Sequence, residues 1–141
     1  MHEFGLRVYY EDTDLAGIVY YANYLKFVER GRTEALLSLG IDQAALREQA
    51  GIVFAVRRIE ADYLLPARFQ DQLVVTTALA AMSAARVELA QEVRRERTLL
   101  VRAAVTIVAL GANGRPARLP RELRDALARL APPPGAAAGS P

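Results

Sequence analysis

The tightest constraint on this chain is an imbalance between its helical and its extended segments. Residues 21–39 have helical spacing, with Tyr24, Phe27, Val28, Arg32, Ala35, Leu36 and Leu39 recurring on one side before Gly40 stops the run. From Ile52 onward the chain reads almost entirely as strands. Ile52 to Leu65 is an extended run closed by Pro66, and Leu73, Val75, Thr77 and Leu79 alternate with a more polar set. Val87, Leu89 and Val93 oppose Arg86, Glu88, Glu92 and Arg94, the pattern of a half-buried antiparallel strand. Leu99 to Leu110 carries Val101, Ala103, Val105 and Ile107 on one face and ends at the turn residues Ala112-Asn113-Gly114. Gly5 to Tyr10 reads as one more strand at the front. Two short helices complete the pattern: Asp42 to Gln49, capped by its aspartate, and Arg121 to Leu130 after Pro120. Five strands and one long helix predict an α+β fold, an antiparallel sheet with helices on one face. That helix leaves the sheet edges open, so the pattern predicts a homodimer at least, joined through an edge strand. Gly31 in mid-helix costs about 1 kcal/mol relative to alanine and predicts close approach of another backbone there.

At 141 residues the chain holds one domain, which we place at residues 1–131, with the Pro-, Gly- and Ala-rich residues 132–141 expected to be a disordered tail. Composition restricts the chemistry more sharply. Cysteine is absent, the one histidine is His2 at the fraying N-terminus, and no serine sits in a nucleophile elbow. An enzyme built from this chain must therefore use carboxylates. No apolar run reaches the roughly 18 residues of a membrane span, and the N-terminus has neither a basic nor an apolar signal region. Those features predict a cytoplasmic protein without a transmembrane segment. A formal charge of +2 argues against a nucleic-acid partner, although every basic residue except Lys26 is an arginine.

The segment from Tyr9 to Tyr24 concentrates the chemical signal. It reads as a strand, an acidic turn holding Asp12, Asp14 and Gly17, and the start of the long helix. Unpaired N–H groups at a helix start can polarise a carbonyl oxygen and hold a developing oxyanion. A carboxylate from the preceding turn can attack that carbonyl or activate water, and Gly17 lets backbone and substrate approach. From pattern alone three readings stay open: caps and turn formers, of which Asp12 is the better example; a hard-cation site at Asp12-x-Asp14; and an acyl-transfer site.

Asp12-Thr13-Asp14-x-x-Gly17-x-Val19-Tyr20-x-x-x-Tyr24, followed by Glu29, Arg32 and Glu34, resembles the signature of the 4-hydroxybenzoyl-CoA thioesterase family. It is most similar to that family's tol–pal-associated acyl-CoA thioesterases. The similarity continues through Val56-Arg57-Arg58, Tyr63-x-x-Pro66-Ala67-Arg68 and Leu119-Pro120, so it spans nearly all of the chain before the tail. It implies a hot-dog fold, an antiparallel five-stranded sheet wrapped around one long helix, assembled as a dimer or tetramer. It implies an acyl-CoA thioesterase needing no metal and no organic cofactor, with coenzyme A as part of the substrate.

Carried over residue by residue, the resemblance makes Asp14 the catalytic nucleophile or general base and the backbone N–H of Tyr21 the oxyanion donor. Position 21 is histidine in many relatives; the tyrosine here keeps the backbone role and removes an imidazole. Gly17 belongs to the same motif. Glu29 either helps position water or pairs with Arg32. Arg57, Arg58 and Arg68 are candidates for the phosphates of coenzyme A, set against a reading as solvated or subunit-bridging charges, and Arg86 is a weaker one. Acyl carrier protein is a possible alternative donor. The rival functions are a hydratase, disfavoured for want of a core histidine, and a non-catalytic hot-dog scaffold that binds acyl-CoA or acyl carrier protein.

Overall fold

The structure, a computed structural model, describes residues 1–132. Five strands form one antiparallel sheet: β1 (His2–Arg7), β2 (Val53–Tyr63), β3 (Gln72–Met82), β4 (Arg86–Arg95) and β5 (Thr98–Leu110), in the spatial order β1-β3-β4-β5-β2. The long helix α1 (Asn23–Ser38) lies on one face, joined by α2 (Gln43–Ala50) and α3 (Arg121–Ala128). The sheet curves around α1 because inward positions on three neighbouring strands are apolar and opposite one another. Val75 pairs with Val93, Leu89 with Val105, and Val87 with Ile107. Against them α1 buries Tyr24, Phe27, Val28, Gly31, Arg32, Ala35 and Leu36. This is the α+β architecture that the strand and helix pattern predicts. The expected tail falls outside the described residues except for Pro132.

Several boundaries differ from expectation by a few residues, and those of β1 and α1 bear on the site. The first strand runs from His2 to Arg7, not Gly5 to Tyr10, because the chain leaves the sheet edge early. Val8 is still held by the turn before β3, donating to Asp71 O at 2.9 Å and accepting from Gln70 N at 2.9 Å. Tyr10–Asp12 then coil into a single 3-10 turn. The helix starts at Asn23 and leaves Tyr21 and Ala22 in the turn ahead of it. Local signals place α2 closely: Asp42 Oδ1 accepts from Ala45 N at 3.1 Å, and Gly51 ends the helix at φ +67°. Among the described residues, the i,i+4 ion pair is Arg121–Asp125 at 3.9 Å.

Gly31 faces a side chain rather than a backbone. A Cβ at this position would stand 2.5 Å from Val75 Cγ1 and 3.1 Å from Val75 Cβ. Crowding of that kind costs about 1–3 kcal/mol, against roughly 1 kcal/mol of helix propensity gained. Gly31→Ala should therefore lower the urea midpoint, and adding Val75→Ala should recover part of the loss. A Gly31→Ala protein more stable than the parent would show that the sheet does not press on α1 there.

The edges of the sheet are β1 and β2. β2 is 11 residues long and slips register at Arg57, between Val56 and Arg58. Its Val53, Val56, Arg57 and Arg58 are exposed, so it presents a long unpaired edge. Among the described residues, no helix is long and apolar enough to cross a membrane.

Candidate active site

The acidic turn is a small hairpin whose geometry follows from its sequence. Thr13 bridges Val19, Asp14 N donates to Ile18 O at 2.9 Å, and Gly17 N returns to Asp14 O at 3.0 Å. The loop is thus Leu15-Ala16-Gly17, a three-residue hairpin loop closing on a left-handed residue, and Gly17 supplies it at φ +79°. Nothing lies within 4 Å of a Cβ built on Gly17, so the space beside it is open. Asp14 sits where an aspartate can bond its own turn, and Ala16 N donates to its Oδ1 at 2.9 Å. Among the described residues its Oδ2 has no hydrogen-bond partner. One oxygen fixes the side chain, and the residue lines an open cleft.

That cleft measures about 480 Å³ and is lined by Tyr10, Thr13, Asp14, Leu15, Gly17 and Phe69. Tyr10 and Phe69 meet edge to face at 6.0 Å and form its aromatic wall. Asp12 is turned away from it. Its Oδ2 accepts from Tyr9 N at 2.8 Å, the capping role expected for it, and its carbonyl accepts from Tyr20 N and Asn23 Nδ2, both at 2.9 Å. These bonds lock the hairpin to the start of α1. No cluster of three metal-ligating carboxylates or imidazoles occurs among the described residues.

Downstream of the hairpin, the N–H groups of Tyr21 and Ala22 find no acceptor among the described residues, whereas Tyr20, Asn23, Tyr24 and Leu25 all donate. The two free amides are adjacent, just ahead of the helix, as an anion site requires. Tyr21 lines a second pocket of about 240 Å³ with Ile18, Tyr24, Tyr63, Leu64 and Leu65. Its ring meets Tyr63 edge to face at 5.9 Å. Asp14 and Gly17 therefore share one cleft, and Tyr21 opens on the neighbouring pocket, with the hairpin strand between them.

The hairpin is braced from behind through Ala67, which is wholly buried. Ala67 O accepts from Val19 N at 2.9 Å, and Ala67 N donates to the Tyr24 hydroxyl at 2.9 Å. Burial raises the Tyr24 phenol above its ordinary value, with the Ala67 N–H acting the other way, so it stays neutral at physiological pH. Arg95 completes the brace, reaching Asp71 Oδ2 at 2.8 Å and Pro66 O at 3.3 Å. Tyr24→Phe would strand a buried N–H, a loss of about 1–3 kcal/mol. The expected result is a lower thermal midpoint together with faster hydrogen exchange at Ala67; unchanged exchange there would remove the brace from the account.

The remaining candidates scatter. Glu29 is on the exposed side of α1, accepting from Thr33 Oγ1 at 3.0 Å, with no Arg32 ion pair. It stands eight residues past Tyr21, about 12 Å along a helix, and lines a different pocket. Arg57 is exposed at the β2 bulge, and Arg58 pairs with Glu60. Arg68 alone adjoins the hairpin, bridging Ile18, with its N–H donating to Asp71 Oδ2 at 2.8 Å. Arg86 is exposed at the β3–β4 turn.

Sequence reasoning missed a buried polar network beneath α1. Gln91, fully buried, accepts from Arg32 Nη1 at 3.2 Å and donates from Nε2 to Val28 O at 3.0 Å and Thr77 Oγ1 at 2.9 Å. The available signal was Gln91 itself, a polar residue at an inward position between Leu89 and Val93. Burial pushes the Arg32 guanidinium below its ordinary value, with the charge of Glu29 pulling it back.

Comparison with known proteins identifies the family and the fold. The acyl-CoA thioesterase YbgC of Haemophilus influenzae is 36% identical over 128 residues, covering 90% of this chain and 94% of its own. The acyl-CoA thioester hydrolase YbgC of Escherichia coli is 38% identical over 120 residues, covering 84% and 89%. The crystal structure of a probable thioesterase from Bartonella henselae superposes with a TM-score of 0.79 at 36% identity, covering 84% of this chain and 98% of that one. Residues 8–127, which hold the hairpin, the free amides and the whole of β2 to β5, match the thioesterase-like superfamily. The chain belongs to the thioesterase-like superfamily, and its five-stranded antiparallel sheet around one long helix is the hot-dog fold.

Proposed function

We propose that this protein hydrolyses acyl-CoA thioesters to the free acid and coenzyme A, with Asp14 as nucleophile or general base and the Tyr21 N–H, seconded by that of Ala22, as oxyanion donors. The observation that carries this reading is a carboxylate with one unpaired oxygen in an open cleft, one hairpin strand away from two unpaired amides. Thioester hydrolysis needs those two devices: a group that attacks or activates water, and a preorganised N–H pair for the charge that develops on the carbonyl oxygen. Gly17 keeps the cleft side of the hairpin open. No metal or organic cofactor enters this mechanism, and coenzyme A arrives with the substrate and leaves as product. The names of the YbgC relatives support the acyl-CoA substrate class.

In this reading the working unit is a homodimer or a dimer of dimers. The support is the long free edge of β2 together with apolar surface around the hairpin, where Leu15 is fully exposed and Tyr21 is 60% exposed. A second copy would cover both and wall the clefts. Arg68, beside the hairpin, is the arginine best placed for coenzyme A phosphates; Arg57 and Arg58 lie on the free edge and suit a subunit-bridging role. Acyl carrier protein remains an alternative carrier of the same thioester. The test is free-thiol release from a panel of aliphatic and aromatic acyl-CoAs by the purified protein. Hydrolysis of at least one member is expected; binding of acyl-CoA without turnover of any would favour the scaffold reading instead.

A further inference from the structure

The connection from β2 to β3 is held more tightly than a loop of its length requires. Asp71 closes it on Arg68 twice: its Oδ2 accepts from Arg68 N at 2.8 Å, and its own N–H donates to Arg68 O at 3.1 Å. Phe69, which lines the Asp14 cleft, lies inside that closed loop. Gln70 follows at φ +72°, a left-handed backbone that a residue with a side chain keeps only where its surroundings impose it. Arg95 Nη1 donates to the same Asp71 Oδ2 at 2.8 Å and to Pro66 O at 3.3 Å, so one guanidinium from the end of β4 spans the turn. Both partners are half-buried, so the pair is less screened than one on the open surface.

The turn so fixed carries the acidic hairpin. Ala67 O accepts from Val19 N at 2.9 Å, and Arg68 bridges Ile18, both on the hairpin's return strand. Asp14 N donates to Ile18 O, so the aspartate follows wherever that strand is held. A displacement of residues 66–71 therefore shifts Asp14 relative to the Tyr21 N–H that follows along the same chain. Turnover is steep in such a shift, about a hundredfold for roughly 1 Å. We infer that Asp71 and Arg95 are positioning residues for thioester hydrolysis, which together fix residues 66–71 so that the hairpin keeps Asp14 in register with the Tyr21 amide. The effect on rate rests on the thioesterase reading; the mechanical link from the ion pair to the hairpin does not.

The test pairs steady-state kinetics with amide hydrogen exchange on the intact protein, at a temperature where each variant's melting curve shows it folded. Asp71→Asn keeps an oxygen for Arg68 N and removes the charge facing Arg95. It should lower kcat by about tenfold or more on an acyl-CoA that the parent hydrolyses, with KM changed by less than about threefold. Arg95→Lys should retain most of the rate, and Arg95→Met should lose as much as Asp71→Asn. The double variant Asp71→Asn with Arg95→Met should lose no more than Arg95→Met alone, because the two side chains act as one unit. Exchange at the Val19 and Asp14 amides should quicken in Asp71→Asn, while that of the central β4 amides stays parental. Parental kcat in a folded Asp71→Asn protein overturns the inference, even where the thermal midpoint falls, since a purely structural role would give that result. Losses that add in the double variant, or unchanged exchange at Val19, overturn it as well. If Asp71→Asn does not fold, the comparison of Arg95→Lys with Arg95→Met decides by the same readouts. A parent that hydrolyses no acyl-CoA would refute the thioesterase reading instead, and exchange at Val19 would then decide whether the ion pair fixes the hairpin.

Discussion

Asp14→Asn should lower kcat for thioester hydrolysis by at least about a hundredfold, the scale lost when a positioned base is removed. The substitution suits the purpose because an asparagine side-chain oxygen can still accept from Ala16 N, the bond that sets the aspartate at 2.9 Å. The hairpin, with Gly17 at φ +79° and the Thr13–Val19 bridge, should be undisturbed. The loss would then fall on kcat more than on KM, as expected for a group that acts at the reacting carbon. Thiol release measured with saturating acyl-CoA, alongside a thermal midpoint showing the fold intact, checks both halves of the expectation. A folded variant with parental turnover would take the carboxylate out of the mechanism.

The second large effect lies in the core. Gln91→Leu should destabilise the protein by about 1–3 kcal/mol, the range for leaving buried hydrogen-bonding groups without their partner. Leucine fills similar space, so the loss would come from stranding the Arg32 guanidinium and the Thr77 hydroxyl, which Gln91 now holds at 3.2 and 2.9 Å. Against a typical total of about 5–15 kcal/mol, such a change is visible in any urea titration. Adding Arg32→Met to Gln91→Leu should restore much of the stability, because an apolar pair removes the unpaired charge. Equal stability of Gln91→Leu and the parent would mean that water or a second subunit satisfies Arg32 instead.

Most of the architecture was legible in the sequence because the sheet is two-faced and the helix one-sided. The alternation at Val87, Leu89 and Val93 and the spacing of Phe27, Val28, Ala35 and Leu36 each allow one orientation, and burial follows both. The end of β1 and the start of α1 were misplaced for a local reason. Val8 to Tyr10 are as β-prone as any strand, but the chain there turns to meet Gln70 and Asp71, a tertiary contact that no periodicity announces. Tyr21 and Ala22 have good helical neighbours, yet the bonds from Tyr20 N and Asn23 Nδ2 to Asp12 O hold this stretch as a turn, which frees the two amides. Within the site, turn chemistry suggested a capping role for Asp12, whereas Asp14 was singled out by the family resemblance and not by its spacing. The positions of Glu29 and the arginines relative to Asp14 were not legible, since they depend on where α1 and β2 pass in space.

The direct test of the mechanism is a crystal structure of the Asp14→Asn protein with an acyl-CoA bound. The thioester oxygen should lie about 2.7–3.1 Å from the Tyr21 nitrogen, and the carbonyl carbon about 3–3.5 Å from the side chain at position 14 or from a water that it holds. An acyl-CoA bound with its carbonyl away from both groups, in either subunit of the assembly, would contradict the account.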